Sequence, residues 1–178
     1  MSAVLITGPP GCGKTTLIRR AVAELSVTAA GFYTEEIRLP AGRHGSAGHR
    51  EGFALVTLDG RRATLASVRI HGPHHVSKYG VDLEALETVG LPALKNADAK
   101  LLVIDEIGKM ELLSPRFQEA VMRALDGATP LLASIMISRH PFADTVKSRD
   151  DIRLINLRPE NRKSALGQVV TALREVLR

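Results

Sequence analysis

Cysteine, aromatic residues and long apolar runs are all scarce in this chain, and each scarcity excludes something. The single cysteine, Cys12, rules out an internal disulfide framework and fits a reducing compartment such as the cytoplasm. No Cys/His cluster has the spacing of zinc ligands; His74 and His75 stand alone in a loop-like stretch and read as solvated. Aromatic residues are only 3% of the total, too few for a platform on which single-stranded nucleic acid stacks. No apolar run approaches the roughly 20 residues of a membrane helix. The start, Met1-Ser2-Ala3-Val4-Leu5-Ile6, lacks the basic region and cleavage site of a signal peptide. There is no long Lys/Arg run either. The net charge of +5 therefore reads as scattered surface arginine on a polyphosphate-binding protein, with nucleic acid permitted as a partner and not favoured.

What is present fits one globular domain over residues 1–178, with 44% apolar and 24% charged residues and no internal repeat or linker. Val4-Leu5-Ile6 is a short buried strand running into a Gly/Pro-rich turn. Leu17, Ile18, Ala21, Val22 and Leu25 recur at helical spacing after Lys14. Gly31–Ile37 reads as a second strand. Pro40–Arg50, rich in glycine and basic residues, reads as a mobile loop, and Phe53–Leu58, the Asp59-Gly60 turn and Ala63-Thr64-Leu65 as a hairpin. A small antiparallel insertion is thus expected over roughly residues 38–75. Asp82 caps a helix over Leu83–Val89 that Gly90 and Pro92 break or restart. Leu101–Asp105 is the clearest buried strand. Ser114-Pro115 starts a helix that Gly127 stops. Leu131–Ile137 and Ile152–Leu157 are further strands, and Gly167–Leu177 a closing helix. Strands alternating with helices predict an α/β three-layer sandwich whose mainly parallel core sheet has five strands.

Gly8-Pro9-Pro10-Gly11-Cys12-Gly13-Lys14-Thr15 matches the Walker A phosphate loop in full, with the strand before it and the helix after it that the pattern requires. Glycines let backbone N–H groups close around phosphate oxygens, and the helix N-terminus adds partial positive charge. Lys14 can bridge β- and γ-phosphates, Thr15 can offer its hydroxyl to Mg²⁺, and Thr16 can touch an α-phosphate. Cys12 reads as a small filler. Asp105-Glu106 ends the apolar run Leu101–Ile104, on the sheet edge where ligands of parallel sheets bind. Asp105 is placed to hold Mg²⁺, and Glu106 to orient or deprotonate a water attacking the γ-phosphate.

Several further segments occur in order: Gly31-Phe-Tyr-Thr-Glu-Glu-Ile-Arg38, Arg50-Glu-Gly-Phe53, Tyr79-Gly-Val-Asp82, Ile104-Asp-Glu-Ile-Gly-Lys-Met-Glu111 and Glu160-Asn-Arg162. Together with the phosphate loop they resemble the THEP-type nucleoside-triphosphatase family of P-loop proteins over nearly the whole chain. The resemblance implies slow hydrolysis of ATP and other nucleoside triphosphates to diphosphates, with Mg²⁺ and little base selectivity. It implies one strand between the Walker A and Walker B strands, here Leu131–Ile137. It maps nucleotide contacts onto Gly8–Thr15 and onto Leu102, Val103, Ile104, Asp105, Glu106, Ile107, Gly108 and Lys109.

Other residues stay open. Ser134, Ser138 or His140 can sense the γ-phosphate or, for Ser134, simply pack. Glu35 and Glu36 point to opposite strand faces, so at most one of them serves the site. Lys109, Arg139, Arg149 and Arg162 are candidate transition-state cations, and Asn161 either lies against a base or caps the last helix. The expected activity is that of a monomeric hydrolase. The alternatives are a kinase passing the γ-phosphate to a nucleotide or polynucleotide, with 41–49 as an acceptor lid, and a nucleotide-dependent nucleic-acid-binding switch.

Overall fold

The structure is a computed structural model that describes residues 2–39 and 49–177. The loop read over 40–50 falls largely on residues 40–48, outside that range. The chain runs β1 (Ala3–Thr7), α1 (Lys14–Leu25), β2 (Ala29–Arg38), β3 (Arg50–Thr57), β4 (Arg62–Ser67), β5 (His75–Val76), β6 (Tyr79–Val81), then α2 (Leu83–Ala85), a π-helical turn at Leu86–Gly90 and α3 (Leu91–Ala93). It continues through β7 (Leu101–Ile107), α4 (Pro115–Asp126), β8 (Leu131–Ile135), α5 (Pro141–Lys147), β9 (Ile152–Asn156) and α6 (Arg162–Val176).

Among the described residues all strands join one sheet in the order β5-β6-β4-β3-β2-β7-β8-β1-β9. The part β2-β7-β8-β1-β9 is the expected five-stranded parallel core, and β8 is the strand between β1 and β7. The antiparallel strands differ from a separate hairpin: β3, β4, β6 and β5 extend the same sheet beyond β2.

Strand alternation sends side chains to two layers. Val4, Ile6, Val103 and Leu132 meet Leu17, Ile18 and Ala21 of α1 and Ala165, Val169 and Leu173 of α6. Leu5, Leu102, Ile104 and Ala133 meet Phe117, Val121 and Leu125 of α4 and Ala143 and Val146 of α5. Every side chain of β1 is buried, as a strand covered on both faces requires.

Local signals explain most boundaries. The Ser114 hydroxyl accepts from the Phe117 N–H at 3.1 Å and donates to Glu87 at 2.7 Å, which fixes the start of α4. Asp82 accepts from the Ala85 N–H at 2.9 Å. Three expectations move. β8 stops at Ile135, because Ile137 turns out to solvent at 52% exposure. β7 runs on to Ile107, so Asp105 lies inside the strand and pairs with Tyr33 of β2. The closing helix starts at Arg162 and not at Gly167, because a turn at Pro159–Asn161 launches it directly after β9.

Gly31 marks the tightest strand contact. Its φ is +125°, and a Cβ there would lie 1.9 Å from the Val103 carbonyl oxygen on β7. Gly31→Ala should therefore cost about 3 kcal/mol, measured as a lower urea midpoint. A change within about 0.5 kcal/mol would show that β2 and β7 do not approach this closely.

Candidate active site

The segment between β1 and α1 closes on itself. The Cys12 N–H donates to the Pro9 carbonyl at 3.2 Å, and the Leu17 N–H to the Gly13 carbonyl at 2.9 Å. Gly13 is the N-cap of α1 at φ +100°, a left-handed conformation that suits glycine. The first turn of α1 carries no acidic residue and has no side-chain cap. Its unpaired N–H groups and the positive end of the helix dipole thus stay available to an anion. Lys14 folds over the loop, its Nζ donating to the carbonyls of Gly8 at 3.1 Å and Pro9 at 3.3 Å. Cys12 is 5% exposed among apolar neighbours from α1 and α6, as a filler would be. Pro9, Pro10 and Thr16 are exposed around the loop.

β7 delivers the carboxylates to the same edge. Leu102, Val103, Ile104 and Ile107 are buried in the two apolar layers and bring no polar group to the site; their side chains hold the strand that carries Asp105 and Glu106. Gly108 is buried behind Glu106, and Lys109 is exposed. Asp105 is 2% exposed and accepts from the Thr15 hydroxyl on one oxygen and the Ser134 hydroxyl on the other. Burial pushes its carboxyl upward, opposed by those two bonds and by the Lys14 charge. Glu106 is half-buried, with its Oε1 3.9 Å from Lys14 Nζ. Burial raises it as well, Lys14 holds it down, and the Asp105 charge adds to the rise.

Thr15 and Asp105 offer hard oxygen ligands to a divalent cation. No cluster of three or more His, Cys, Asp or Glu ligands exists among the described residues. The donor set fits Mg²⁺, which keeps waters and takes phosphate oxygens instead of an all-protein cage.

The other sequence candidates separate. Ser134 is fully buried and engaged with Asp105, so it braces the carboxylate; Ser138 and His140 lie on the connection from β8 to α5. Glu35 pairs with Arg19 and Arg62, and Glu36 with Arg38 and Arg50, on opposite faces of β2. Arg149 is held by Asp126 and Asp151, both at 2.8 Å. Asn161 accepts from the Arg158 N–H at 2.8 Å and donates to the Asn156 carbonyl at 2.8 Å, so its side chain closes the turn and does not cap α6. Two neighbours of the site escaped residue-by-residue reading. Arg19, one helical turn beyond Thr15, lies over the Tyr33 ring at 4.7 Å beside Asp105. Its spacing from Thr15 was the available signal.

Glu111 is the second. It is 5% exposed, and its Oε2 lies 3.0 Å from where a Cβ on Gly108 would be, with the Glu106 side chain 3.4 Å from the same point. Burial lifts its carboxyl from 4.5 to about 8, backbone donors oppose the rise, and the charges of Glu106 and Asp105 add to it. The folded chain then keeps a proton on Glu111 up to about pH 8, while the unfolded chain releases it near 4.5. Stability from this group is complete below about pH 4.5 and drains away as pH rises towards 8. Glu111→Gln, neutral throughout, should remove that slope and be more stable than the parent by up to ~3 kcal/mol near pH 7. Thermal melts of both proteins from pH 5 to 8 check this, and parallel profiles would sink it.

A family model described as NTPase matches residues 3–170. The chain is 42% identical over 173 residues to nucleoside-triphosphatase THEP1 of Thermotoga sp. (strain RQ2), covering 96% of this chain and 95% of that protein. It is 40% identical over 188 residues to the cancer-related nucleoside-triphosphatase of Homo sapiens, covering 96% and 95%. Among solved structures, the crystal structure of THEP1 from the hyperthermophile Aquifex aeolicus aligns with a TM-score of 0.83 at 33% identity, over 96% of this chain and 98% of that one. Similarity of this extent, on a sheet with one strand between the phosphate-loop strand and the carboxylate strand, makes the chain a member of the THEP1 NTPase family.

Proposed function

We propose that the chain hydrolyses nucleoside triphosphates, ATP among them, to diphosphate and phosphate at the site built from Gly8–Thr16, Asp105 and Glu106. One observation carries the reading: the Thr15 hydroxyl meets Asp105 while the Lys14 ammonium lies 3.9 Å from Glu106. Phosphate oxygens take the N–H groups of the loop and of the first turn of α1. Lys14 leaves the Gly8 and Pro9 carbonyls and bridges the β- and γ-phosphates. Thr15 and Asp105 would hold Mg²⁺, which when bound supplies positive charge at those phosphates. Glu106 orients the attacking water and accepts its proton; burial raises the proton affinity of this carboxylate, which makes it a stronger base than an exposed one.

Little base selectivity is what the family resemblance implies for this site. The aromatic residues are Phe32, Tyr33, Phe53, Tyr79, Phe117 and Phe142, and none lies in the loop 8–16 or in 157–162, the segment beside it. The working form is a monomer acting on nucleotides; the single cysteine supports a reducing compartment such as the cytoplasm. No helix among the described residues is long and apolar enough to cross a membrane.

The test is release of labelled phosphate from γ-labelled ATP with Mg²⁺, with and without a pooled panel of nucleotide and oligonucleotide acceptors. Lys14→Ala and Glu106→Gln should each lower kcat by a factor of about 10² or more. Unchanged release by Glu106→Gln, or label moving to an acceptor with little free phosphate, would overturn the hydrolase assignment. Ser134→Ala, which leaves one Asp105 oxygen unbonded, should raise the Mg²⁺ concentration needed for half-maximal rate several-fold, on the order of 1 kcal/mol. An unchanged Mg²⁺ requirement would reduce Ser134 to packing.

A further inference from the structure

We propose that Arg162 is a positioning residue that fixes the phosphate loop in its receiving conformation by holding the loop's outer carbonyls. The proposal rests on the reading of Gly8–Thr16 as the triphosphate site. Arg162 opens α6, 150 residues from the loop in sequence, yet its Nε donates to the Cys12 carbonyl at 2.8 Å, with an Nη reaching the Gly11 carbonyl at 3.5 Å. The connection that delivers it is anchored beside the loop, the Leu157 N–H donating to the Thr7 carbonyl at 2.7 Å.

Peptide geometry turns this outer contact into an inner one. The Cys12 carbonyl and the Gly13 N–H belong to the same planar trans unit and point in opposite directions. Holding that oxygen towards Arg162 aims the Gly13 N–H to the loop's other side. The choice of donor matters, because the Cys12 N–H is already taken by the Pro9 carbonyl. Gly13 is thus the next loop amide free to meet a phosphate oxygen, and it is also a residue whose backbone, at φ +100°, wanders most without a restraint. A Cβ on Gly13 would meet the Arg162 Nε at 3.9 Å, an ordinary packing distance, so the guanidinium lies directly against this residue. A positive charge at the carbonyl end of a peptide further polarises its N–H. Arg162 is committed to these carbonyls, which distinguishes it from a cation that must reach the γ-phosphate.

The consequence is a split between binding and turnover. Arg162→Ala should raise the Kd for Mg·ADP by about tenfold, and the KM for ATP with it, because the loop must then be ordered by the nucleotide. Once the loop is filled, kcat should stay within about threefold of the parent. Arg162→Lys should fall between, since an ammonium reaches one carbonyl without the planar fork. Calorimetry with Mg·ADP, steady-state kinetics and thermal melts are run on the parent, these variants and Lys14→Ala. Arg162→Gln, which keeps one amide donor, serves in place of Arg162→Ala if that variant does not fold. A Kd unchanged in the Arg162 variants, with or without a lower Tm, overturns the proposal and leaves a brace of the fold. A kcat loss of about 10² or more at unchanged Kd also overturns it, and assigns Arg162 to the transition state. If Lys14→Ala binds Mg·ADP as the parent does, the site reading itself fails and the proposal with it; loss in Lys14→Ala beside an unaffected Arg162→Ala removes the proposal alone.

Discussion

A carboxylate inside the sheet has to be satisfied on every lone pair that water cannot reach, and Asp105 organises the carboxyl edge through that requirement. Its two oxygens take hydroxyls from two different elements, Thr15 on α1 and Ser134 on β8. The first bond sets the azimuth of α1 on the sheet and so the aim of the phosphate loop that precedes it. The second ties the intervening strand to β7 just where their register shifts, between Ile104 and Ile107. Neither hydroxyl can be supplied unless the strand order β7-β8-β1 places all three elements side by side. Sheet order and local chemistry are in this sense one constraint.

The same edge continues past the phosphate loop. β2 is longer than the parallel pairing needs, and its outer half pairs with β3 as an antiparallel wing. Arg19 joins that wing to α1, stacking on Tyr33 and pairing with Glu35, which Arg62 of β4 also holds. These pairs are surface-exposed and individually worth little. Their effect is geometric: they orient long side chains around Tyr33, whose neighbour across the parallel ladder is Asp105.

Sequence made the parallel core and the phosphate loop legible because both are local. An apolar run bounded by Gly-Pro-Pro-Gly, or a Ser-Pro ahead of helical spacing, states its conformation without help from distant residues. Asp105-Glu106 stood out for a related reason, the apolar run Leu101–Ile104 before it, although β7 continues past the pair to Ile107. What could not be read depended on partners far along the chain. Ser134 could be a sensor or a packed residue until its hydroxyl was seen on Asp105. Arg162 had the look of a free cation, whereas it is bonded to Cys12 from 150 residues away. The antiparallel strands were visible as a hairpin, but nothing within them says that they prolong the main sheet. Gly167 looked like a helix start, although no heavy atom outside its own helix would touch a Cβ there.

Charge balance explains why a third acid can sit so close behind the first two. Asp105, Glu106 and Glu111 lie within seven residues, and the cations set against them are Lys14, beside Asp105 and Glu106, and Arg19, beside Asp105. Three ionised carboxylates facing so few cations would repel each other and any polyphosphate brought to the loop. Burying Glu111 resolves this by keeping it protonated: its position is 5% exposed, and the neighbouring charges of Glu106 and Asp105 raise its proton affinity further. A neutral Glu111 fills the space beside Gly108 without adding charge. The segment Asp105–Glu111 therefore presents two carboxyls to Lys14 and keeps a third, protonated one behind them. That division follows from partners and not from depth alone: Asp105, as deeply buried as Glu111, is met by the Thr15 and Ser134 hydroxyls and by the Lys14 charge.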